Sequence, residues 1–428
     1  MNIRRLSAAL LLCLLFHIST MLNAQTTVIK AGYLFDSESG KFFKNQYVLV
    51  EGKTVKEVSS AKLSGDDFID LSDYWVMPGF IDLHVHLEFE SSPSAYLEEF
   101  TKSTADIAYD AQMHALRTLK AGFTTVRDLG GSGVNTSLAN AIATGKVDGP
   151  RIFSAGKAIA TTGGHADPTN GYRADLMGDP GPASGVVNSR EEARKAVRQQ
   201  YKNGAQVIKI TATGGVLSMA ANGIAPQFTM EELAGIVEAA NDLGMITAAH
   251  AHGDEGMKRA VMAGITSIEH GSMMSEETMD LMIERGTYYV PTLSAGYFTM
   301  EKAEIEGYFP EIIVPKAKFV GAQMTQTFAK AYKKGVKIAF GTDCGVSAHG
   351  ENAKEFAYMV KAGMTPEDAL QTATTEASKL LRQETKLGQV RPGFFADIVA
   401  VKSDPVTDIT VLQHVLFVMK DGKVYKKE

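Results

Sequence analysis

The stretch "PGFIDLHVHL", residues 78–87, ends an apolar run with two histidines that lie one residue apart. In an extended strand, side chains alternate between the two faces, so His84 and His86 point to one side and Val85 to the other. Two imidazoles on one face can bind one cation, but the same spacing also occurs at ordinary strand ends. The rest of the chain has to distinguish a metal site from a polar strand end.

Between the two ends of the chain, short apolar segments alternate with helical stretches. Eight apolar segments are each followed by a helical pattern: residues 78–87, 123–130, 151–156, 206–215, 246–253, 266–271, 287–294 and 337–345. This alternation predicts an α/β fold, a (β/α)8 TIM-like barrel over residues 78–386. A doubly wound sheet is the competing fold. It needs fewer strands and a glycine-rich phosphate loop at the first turn, and "HVHLEFE" is not such a loop.

The two ends of the chain have a different pattern from the barrel. Residues 25–77 and 387–428 alternate apolar and polar residues in short runs that are interrupted by glycine and aspartate. We expect these strands to pair with each other. The sequence therefore predicts a small β-sandwich domain formed by both chain termini.

The first 24 residues have the order of a secretory signal peptide. Arg4 and Arg5 precede an apolar run at residues 8–16 that is too short for a membrane span, and Ala24 is a small residue at the expected cleavage point. This order predicts a secreted or periplasmic protein with no stable membrane span after cleavage, an uncleaved anchor being the alternative. Cleavage would also remove Cys13 and leave Cys344 without a disulfide partner.

The composition limits the partners of the protein. The chain has 428 residues, a net charge of -6, 45% hydrophobic and 21% charged residues, and no Lys/Arg-rich run. A protein that binds nucleic acid is expected to carry a basic patch, so nucleic acid is not predicted as a partner. We predict a small-molecule substrate, and the composition leaves open whether the chain forms a homo-oligomer.

Six polar side chains lie near the ends of five of the eight apolar segments, where barrel enzymes carry their catalytic residues. The six residues are His84, His86, Lys209, His250, His270 and Asp343. Imidazoles and one carboxylate suit Zn²⁺ or a similar divalent ion, and burial of such groups is costly unless they are paired. Two metals need a bridging anion, and no Glu or Asp of a central strand is apparent in that role. We therefore predict that Lys209 is carboxylated by CO₂ and bridges two metals.

Five motifs in this order, "PGFIDLHVHL", "VIKI", "AAHAHG", "SIEHGS" and "FGTDCG", resemble the amidohydrolase superfamily. The similarity is to its binuclear, imidazolonepropionase-like and prolidase-like branch, which includes Xaa-Pro dipeptidases and ochratoxin amidases. The resemblance runs from "VMPGFID" to "GQVRPGFFADIVAV" and covers essentially the whole mature chain. It implies two divalent ions, most simply Zn²⁺, with the following ligands: His84, His86 and Asp343 for the more buried metal, Lys209 as the bridge, and His250 and His270 for the second metal.

The same resemblance implies that His165 and His252 contact the substrate. His252 lies two residues after His250 on the same face of the strand, so the two histidines could exchange roles. By itself, the glycine-rich loop around His165 favours a surface histidine, and only the resemblance assigns it to the substrate. Specificity is expected to reside in three loops, residues 157–189, 219–229 and 293–315, in which Arg173 is interpreted as a solvated arginine.

The predicted activity is hydrolysis of the amide bond of dipeptides, Xaa-Pro-like or hydrophobic, or of N-acyl amino acids, including ochratoxin-type amides. Metal-activated hydroxide would attack the carbonyl, and Asp343 would act as general base and return the proton to the leaving nitrogen. A cyclic-amide hydrolase similar to imidazolonepropionase is one alternative. A non-catalytic, metal-stabilised binding protein is another, although a purely structural site would need no proton shuttle such as Asp343.

Overall fold

The computed structural model describes residues 25–220 and 222–428, so the predicted signal peptide lies outside the described residues. The strands are β1 Thr26–Asp36, β2 Lys41–Glu51, β3 Thr54–Ser59, β4 Asp67–Pro78, β5 Phe80–Val85, β6 Phe123–Asp128, β7 Arg151–Ser154, β8 Val207–Thr211, β9 Ile246–Ala251, β10 Ser267–His270, β11 Tyr288–Val290, β12 Ile398–Val401, β13 Phe417–Lys420 and β14 Lys423–Lys427. The helices are α1 Ala95–Thr101, α2 Thr104–Lys120, α3 Val134–Ala143, α4 Ala174–Met177, α5 Arg190–Lys202, α6 Met230–Asp242, α7 Asp254–Ala263, α8 Glu276–Arg285, α9 Leu293–Lys302, α10 Val314–Lys334, α11 Lys354–Lys361, α12 Pro366–Gln371 and α13 Ala377–Leu380.

Strands β5 to β11 form the barrel that the alternating pattern predicts. They run parallel in two arcs, β5-β6-β7 and β8-β9-β10-β11. A parallel bridge between Ile159 and Ile210 joins the two arcs on one side. On the other side, the segment 337–344 bridges to β11 through Ile338 and to β5 through Cys344. Eight parallel segments therefore surround one buried interior.

The eighth segment makes isolated bridges instead of a regular strand. Asp343 has φ 59°, a left-handed conformation that interrupts extended backbone. Gly341 lies so close to its neighbours that an added Cβ would be 2.4 Å from a methyl of Val290 and 3.0 Å from the Cβ of His84. The segment is thus held tightly between β11 and β5, although its backbone is irregular.

The helices begin and end at residues that satisfy their terminal backbone groups. Capping boxes start α2 at Ser103 and α6 at Thr229, where an acidic side chain returns the hydrogen bond. Left-handed glycines end α7, α8 and α10. Within the described ranges, no helix has the length and apolarity that crossing a membrane would demand.

Strands from both ends of the chain pair in one seven-stranded sheet, in the order β14-β13-β12-β4-β1-β2-β3. The pairing between the ends is antiparallel, with Ile398 of β12 opposite Pro78 of β4. Apolar side chains from both ends, such as Ile29, Val48 and Phe417, share one buried core. Because β4 ends two residues before β5 begins, this sheet leads directly into the first barrel strand.

Candidate active site

All eight predicted site residues line one cavity of about 560 Å³ at the carboxyl ends of the barrel strands. These residues are His84, His86, His165, Lys209, His250, His252, His270 and Asp343. Six of them lie in β5, β8, β9 and β10 or directly after these strands, Asp343 lies in the bridging segment 337–344, and His165 enters from the long loop after β7. The convergence of the strand-end residues, which the sequence pattern predicts, is thus present in the structure.

The side chains form one continuous group of polar contacts. The Nε2 atoms of His84 and His86 lie 3.5 and 3.4 Å from Oδ1 of Asp343. Nζ of Lys209 lies 3.3 Å from Nε2 of His84. The His270 ring centroid is 4.9 Å from that of His84 and 4.6 Å from that of His250. His84, His270 and Asp343 each offer a ligand atom, and these atoms lie within 4.8 Å of one another.

Hydrogen bonds fix the ring orientation of the first histidine pair. Nδ1 of His84 lies 3.0 Å from a carboxylate oxygen of Glu269, and Nδ1 of His86 lies 2.8 Å from the carbonyl oxygen of Gly130. A carbonyl oxygen can only accept, so His86 carries its proton on Nδ1, and an ionised Glu269 imposes the same tautomer on His84. Both Nε2 lone pairs then face Asp343, as metal-binding histidines require.

Hydrogen bonds also orient the rings of three further histidines, on β9, directly after β9 and on β10. Nε2 of His250 donates to the carbonyl oxygen of Gly214 at 3.1 Å, which leaves the Nδ1 lone pair free. Nδ1 of His252 lies 2.8 Å from the hydroxyl of Ser272, and Nδ1 of His270 lies 2.7 Å from the hydroxyl of Thr292. Each ring therefore keeps one nitrogen away from its protein partner and available to a ligand.

Burial keeps these imidazoles neutral. It lowers the pKa of His86 to about 4 and the pKa of His252 and His165 to about 3. The pKa values of the other three, His84, His250 and His270, are also well below the usual value for the same reason. Neutral imidazoles with oriented lone pairs fit the predicted divalent metals, since a metal ligand must be unprotonated.

Asp343 and His270 have strained backbone conformations. Their φ angles are 59° and 68°, and Thr292, which contacts His270, has φ 50°. Left-handed geometry is costly for residues other than glycine and concentrates at functional sites. Burial also raises the pKa of Asp343, which makes this carboxylate a better proton acceptor than a solvated one.

Buried carboxylates do exist on the central strands, a feature that sequence reasoning missed. Glu269 is fully buried beside the site and contacts the guanidinium of Arg127 at 2.8 Å as well as His84. Asp82 accepts from Thr342 and Asn352, and Asp128 accepts from Leu87 and Asn135. All three carboxylates are thus engaged by protein donors. Lys209 remains the central-strand group that faces the histidines without such a set of partners.

His165 lies inside the cavity, not on the surface that its glycine-rich loop suggests. Its ring centroid is 4.3 Å from that of His250, and its Nδ1 is buried without a hydrogen-bond partner in the described part of the chain. The ring packs so closely on Gly215 that a Cβ there would be 2.2 Å from it. A buried polar atom without a partner suggests contact with a ligand.

The cavity wall agrees only in part with the three predicted specificity loops. Residues of 157–189 and 293–315 line it, but none of the described residues of 219–229 does so, and Val216, Leu217 and Ser218 line it instead. The long helix α10, which was not predicted to contribute, supplies Val320 and Met324. Arg173 is exposed and ion-paired with Asp175, as expected for a solvated arginine.

Comparisons with known proteins agree with this geometry. The sequence matches the model of the Amidohydrolase family over residues 75–425. It is 33% identical over 429 aligned residues to ochratoxinase from Aspergillus niger, covering 94% of this chain and 87% of the relative. The fold matches the crystal structure of a Xaa-Pro dipeptidase with methionine bound in its active site, with a TM-score of 0.91, 53% identity and coverage of 94% and 100% of the two chains. It also matches a prolidase complexed with N-methylphosphonate-L-proline, with a TM-score of 0.87, 32% identity and coverage of 94% and 100%.

Proposed function

The chain belongs to the amidohydrolase family, and from this premise we propose that it cleaves the amide bond of dipeptides or N-acyl amino acids. As a family member it is a hydrolase that acts on carbon–nitrogen bonds. Similarity to a Xaa-Pro dipeptidase and to an ochratoxinase supports an amide substrate with an amino-acid leaving group. The methionine held by the dipeptidase supports Xaa-Pro-like or hydrophobic residues on the leaving side, and ochratoxin-type amides belong to the same class.

The observation that carries this proposal is the set of oriented, neutral imidazoles around Asp343 and Lys209. We assign His84, His86 and Asp343 to one divalent ion and His250 and His270 to a second, with Lys209 between them. The free Nδ1 of His250 supports its role as a ligand. His252 and His165 are then left to contact the substrate. Zn²⁺ suits this nitrogen-rich donor set.

Lys209 acts in this proposal as a carboxylated bridge. Burial lowers the pKa of its ammonium, which favours the neutral amine. That amine attacks CO₂, a nitrogen–carbon bond forms, and one proton is released, so that a cation becomes an anionic oxygen ligand. Intact-mass measurement of metal-loaded protein is expected to show one added CO₂, and an unmodified Lys209 in that sample would remove this element of the proposal.

The residues of the chain divide the reaction between them. Divalent metals, when bound, acidify a water molecule and polarise the scissile carbonyl. Asp343 accepts the proton of the attacking water at its carboxylate and delivers it to the leaving nitrogen. His165 and His252 orient the carbonyl side of the substrate from the cavity wall. The hydrogen bonds that the imidazoles donate to Glu269, Gly130 and Gly214 hold the rings in place during the reaction.

The site of action is part of the same proposal. The Arg4, Arg5 and apolar order of residues 1–24 supports export from the cytoplasm. Fractionation of cells that express the full chain is expected to place the processed protein, beginning near Gln25, outside the cytoplasm. Unprocessed protein in the cytoplasmic fraction would contradict export without affecting the proposed chemistry.

A substrate panel tests the proposed reaction directly. We expect zinc-loaded protein to cleave Gly-Met, Ala-Pro and N-acetyl-methionine, and to leave imidazolone propionate unchanged. His270→Asn is expected to abolish cleavage. His414→Asn serves as the matched control, because His414 is exposed and does not line the cavity. Turnover of imidazolone propionate alone would instead support the cyclic-amide alternative, and turnover of nothing in the panel would contradict the proposal.

A further inference from the structure

The cavity holds one charged side chain that the proposed chemistry does not use. Its charged lining residues, apart from histidines, are Lys157, Lys209 and Asp343. Lys209 and Asp343 belong to the proposed metal site, which leaves Lys157 as the charged lining residue that has no part in the proposed chemistry. No hydrogen bond or ion pair to Lys157 Nζ occurs within residues 25–220 and 222–428.

The carboxylate of Glu88 is satisfied by backbone donors. Both carboxylate oxygens of Glu88 accept backbone N–H groups, from Ser132 and Asn135 at 2.7 Å each, at the start of α3. Lys316, another lysine near the cavity wall, donates to three backbone carbonyls, those of Gly215, Ser218 and Ala220. Lys157 therefore differs from Lys316 because its ammonium has no partner among the residues that the structure describes.

The backbone holds Lys157 in a fixed place on the cavity rim. Its N–H donates to the buried Gln200 side chain at 3.2 Å, and two residues later Ile159 pairs with β8 through Lys209 O at 2.8 Å. The adjacent Ala158 and the ring of His86 both lie beside Gly130. A Cβ built on Gly130 would be 3.7 Å from the Cβ of Ala158 and 3.5 Å from a ring carbon of His86. Lys157 therefore belongs to the side of the cavity where His86 lies.

Helices α9 and α10 give the cavity an apolar section of wall. Val320 and Met324 of α10 and Ala295 of α9 line it, and α10 is tied to the His252 side because Thr327 donates to the carbonyl oxygen of Ser272 at 2.7 Å. A substrate with its amide at the histidine cluster thus meets both a lysine and apolar side chains in one cavity. This arrangement matches an amino-acid leaving group, which carries a carboxylate and a side chain on one carbon.

From these contacts we propose that Lys157 binds the free α-carboxylate of the substrate and so restricts the enzyme to N-acylated amino acids with a free carboxyl end and an apolar side chain. The inference rests on the proposed function and adds to it the group that selects the substrate. The ammonium forms a charge-assisted hydrogen bond with the carboxylate in the partly dry cavity. A carboxamide in the same place loses the charge interaction but keeps the scissile bond.

Paired substrates test this inference. We expect wild-type protein to cleave Gly-Met in preference to Gly-Met-amide by about 10- to 100-fold in kcat/KM, the range that one charged hydrogen bond supplies. Lys157→Met is expected to lose this preference, mainly through a higher KM for Gly-Met. Lys157→Arg restores a preference for the carboxylate, and Lys202→Met, which removes an exposed cation on α5, changes neither substrate.

Several results would overturn the inference. An unchanged preference in Lys157→Met, or a preference that disappears only in His165→Asn, would assign the carboxylate to another group. If wild-type protein cleaves neither substrate, the proposed function fails. Isothermal titration calorimetry then tests Lys157 separately. Wild-type protein should bind L-methionine more tightly than L-methioninamide, and Lys157→Met should bind the two ligands equally. Absence of methionine binding would reject both.

Discussion

Asp343 combines backbone strain, burial and two close histidines in one residue. Its φ is 59°, and its Oδ1 lies 3.4 and 3.5 Å from Nε2 of His86 and His84. A residue that only terminated the eighth barrel segment would not need such a position. The geometry is the one expected of a carboxylate that touches a metal and a reacting proton.

Asp343→Asn separates these two roles. Asparagine accepts the left-handed conformation as aspartate does and keeps one oxygen, so the fold and most of the bound metal are expected to remain. The carboxamide cannot take a proton from water, and kcat is expected to fall by about 10²- to 10⁴-fold. Steady-state kinetics and metal analysis on the same sample measure both effects, and a near-normal kcat would refute the general-base role.

Glu269 connects a buried arginine to a predicted metal ligand. Arg127 donates to one of its oxygens at 2.8 Å, and Nδ1 of His84 lies 3.0 Å from the other. Glu269→Gln replaces one carboxylate oxygen by an amide N–H₂ group, which cannot accept a hydrogen bond from Arg127 or His84. The substitution also removes the negative charge beside Arg127, so both the His84 tautomer and the buried arginine are disturbed. We expect metal affinity to fall by about 10- to 100-fold.

Competition with a chromophoric chelator measures that loss of affinity. Glu232→Gln is the matched control, because Glu232 is also largely buried but caps α6 away from the cavity. Its metal affinity is expected to equal that of wild type. Equal affinities for all three proteins would mean that Glu269 does not support His84.

The sequence predicts the site residues better than their supporting partners. A polar residue at the end of an apolar strand is visible in the sequence, and this signal predicts the six strand-end residues, whereas only the family resemblance points to His165. Glu269 and Arg127 lie in equally apolar strands, but their roles depend on contacts across 185 and 142 positions of chain. Lys157 shows no periodic signal, because it lies in a loop whose course is fixed by Gln200 and β8.

At the scale of elements, α9 and α10 build the apolar side of the cavity through close helix packing. A Cβ on Gly296 would lie 2.5 Å from the sulfur of Met324, and one on Gly321 would lie 2.4 Å from a side-chain carbon of Met300. The glycines therefore allow the two helices to approach each other. Met324 is free to line the cavity only because Gly296 has no side chain.

Gly296→Ala should reduce the space for large leaving groups. The flexible Met324 side chain can move away from the new methyl, so the fold survives, but it moves within the cavity wall. We expect the kcat/KM ratio of Gly-Phe to Gly-Ala to fall by about tenfold. Gly235→Ala, which crowds the α5–α6 contact near Arg190 outside the cavity, should leave the ratio unchanged. A ratio unaffected by Gly296→Ala would exclude this wall from specificity.

Periodicity predicts the barrel strands and most helices but not the irregular parts. The eight apolar segments correspond to seven strands and one bridging segment, and that last segment deviates because Asp343 adopts a left-handed conformation. Two helices, α9 and α10, lie between β11 and the segment 337–344, and the predicted loop 293–315 contains all of α9 as well as the connection 303–313. Local patterns cannot show where functional strain breaks a strand.

At the scale of the molecule, Arg151 links the barrel to the terminal sheet. It lies in β7 and forms ion pairs with Asp397 at 2.7 Å and Asp421 at 2.5 Å, and its guanidinium stacks on Phe395 at 4.3 Å. Alternating strands at both ends predict that the ends pair with each other. The same pattern does not predict that an arginine of the third barrel strand forms ion pairs with this sheet.

Arg151→Met tests that link. Removal of the guanidinium leaves Asp397 largely buried without its partner, and the free energy of unfolding is expected to fall by about 2 kcal/mol. Arg173→Met, which removes an exposed ion pair, should change it by less than about 0.5 kcal/mol. Chemical denaturation measures both variants. Equal stabilities would show that the sheet and the barrel do not depend on this contact.

The central claim is that the convergent histidines, Lys209 and Asp343 hold divalent metals that hydrolyse an amide bond. Titration of Zn²⁺ into metal-free protein, with Gly-Met cleavage followed at each addition, tests this claim most directly. The predicted result is no cleavage without metal and a rate that rises to a plateau at two Zn²⁺ per chain. Full activity in the metal-free protein, or no cleavage at any Zn²⁺ concentration, would contradict it.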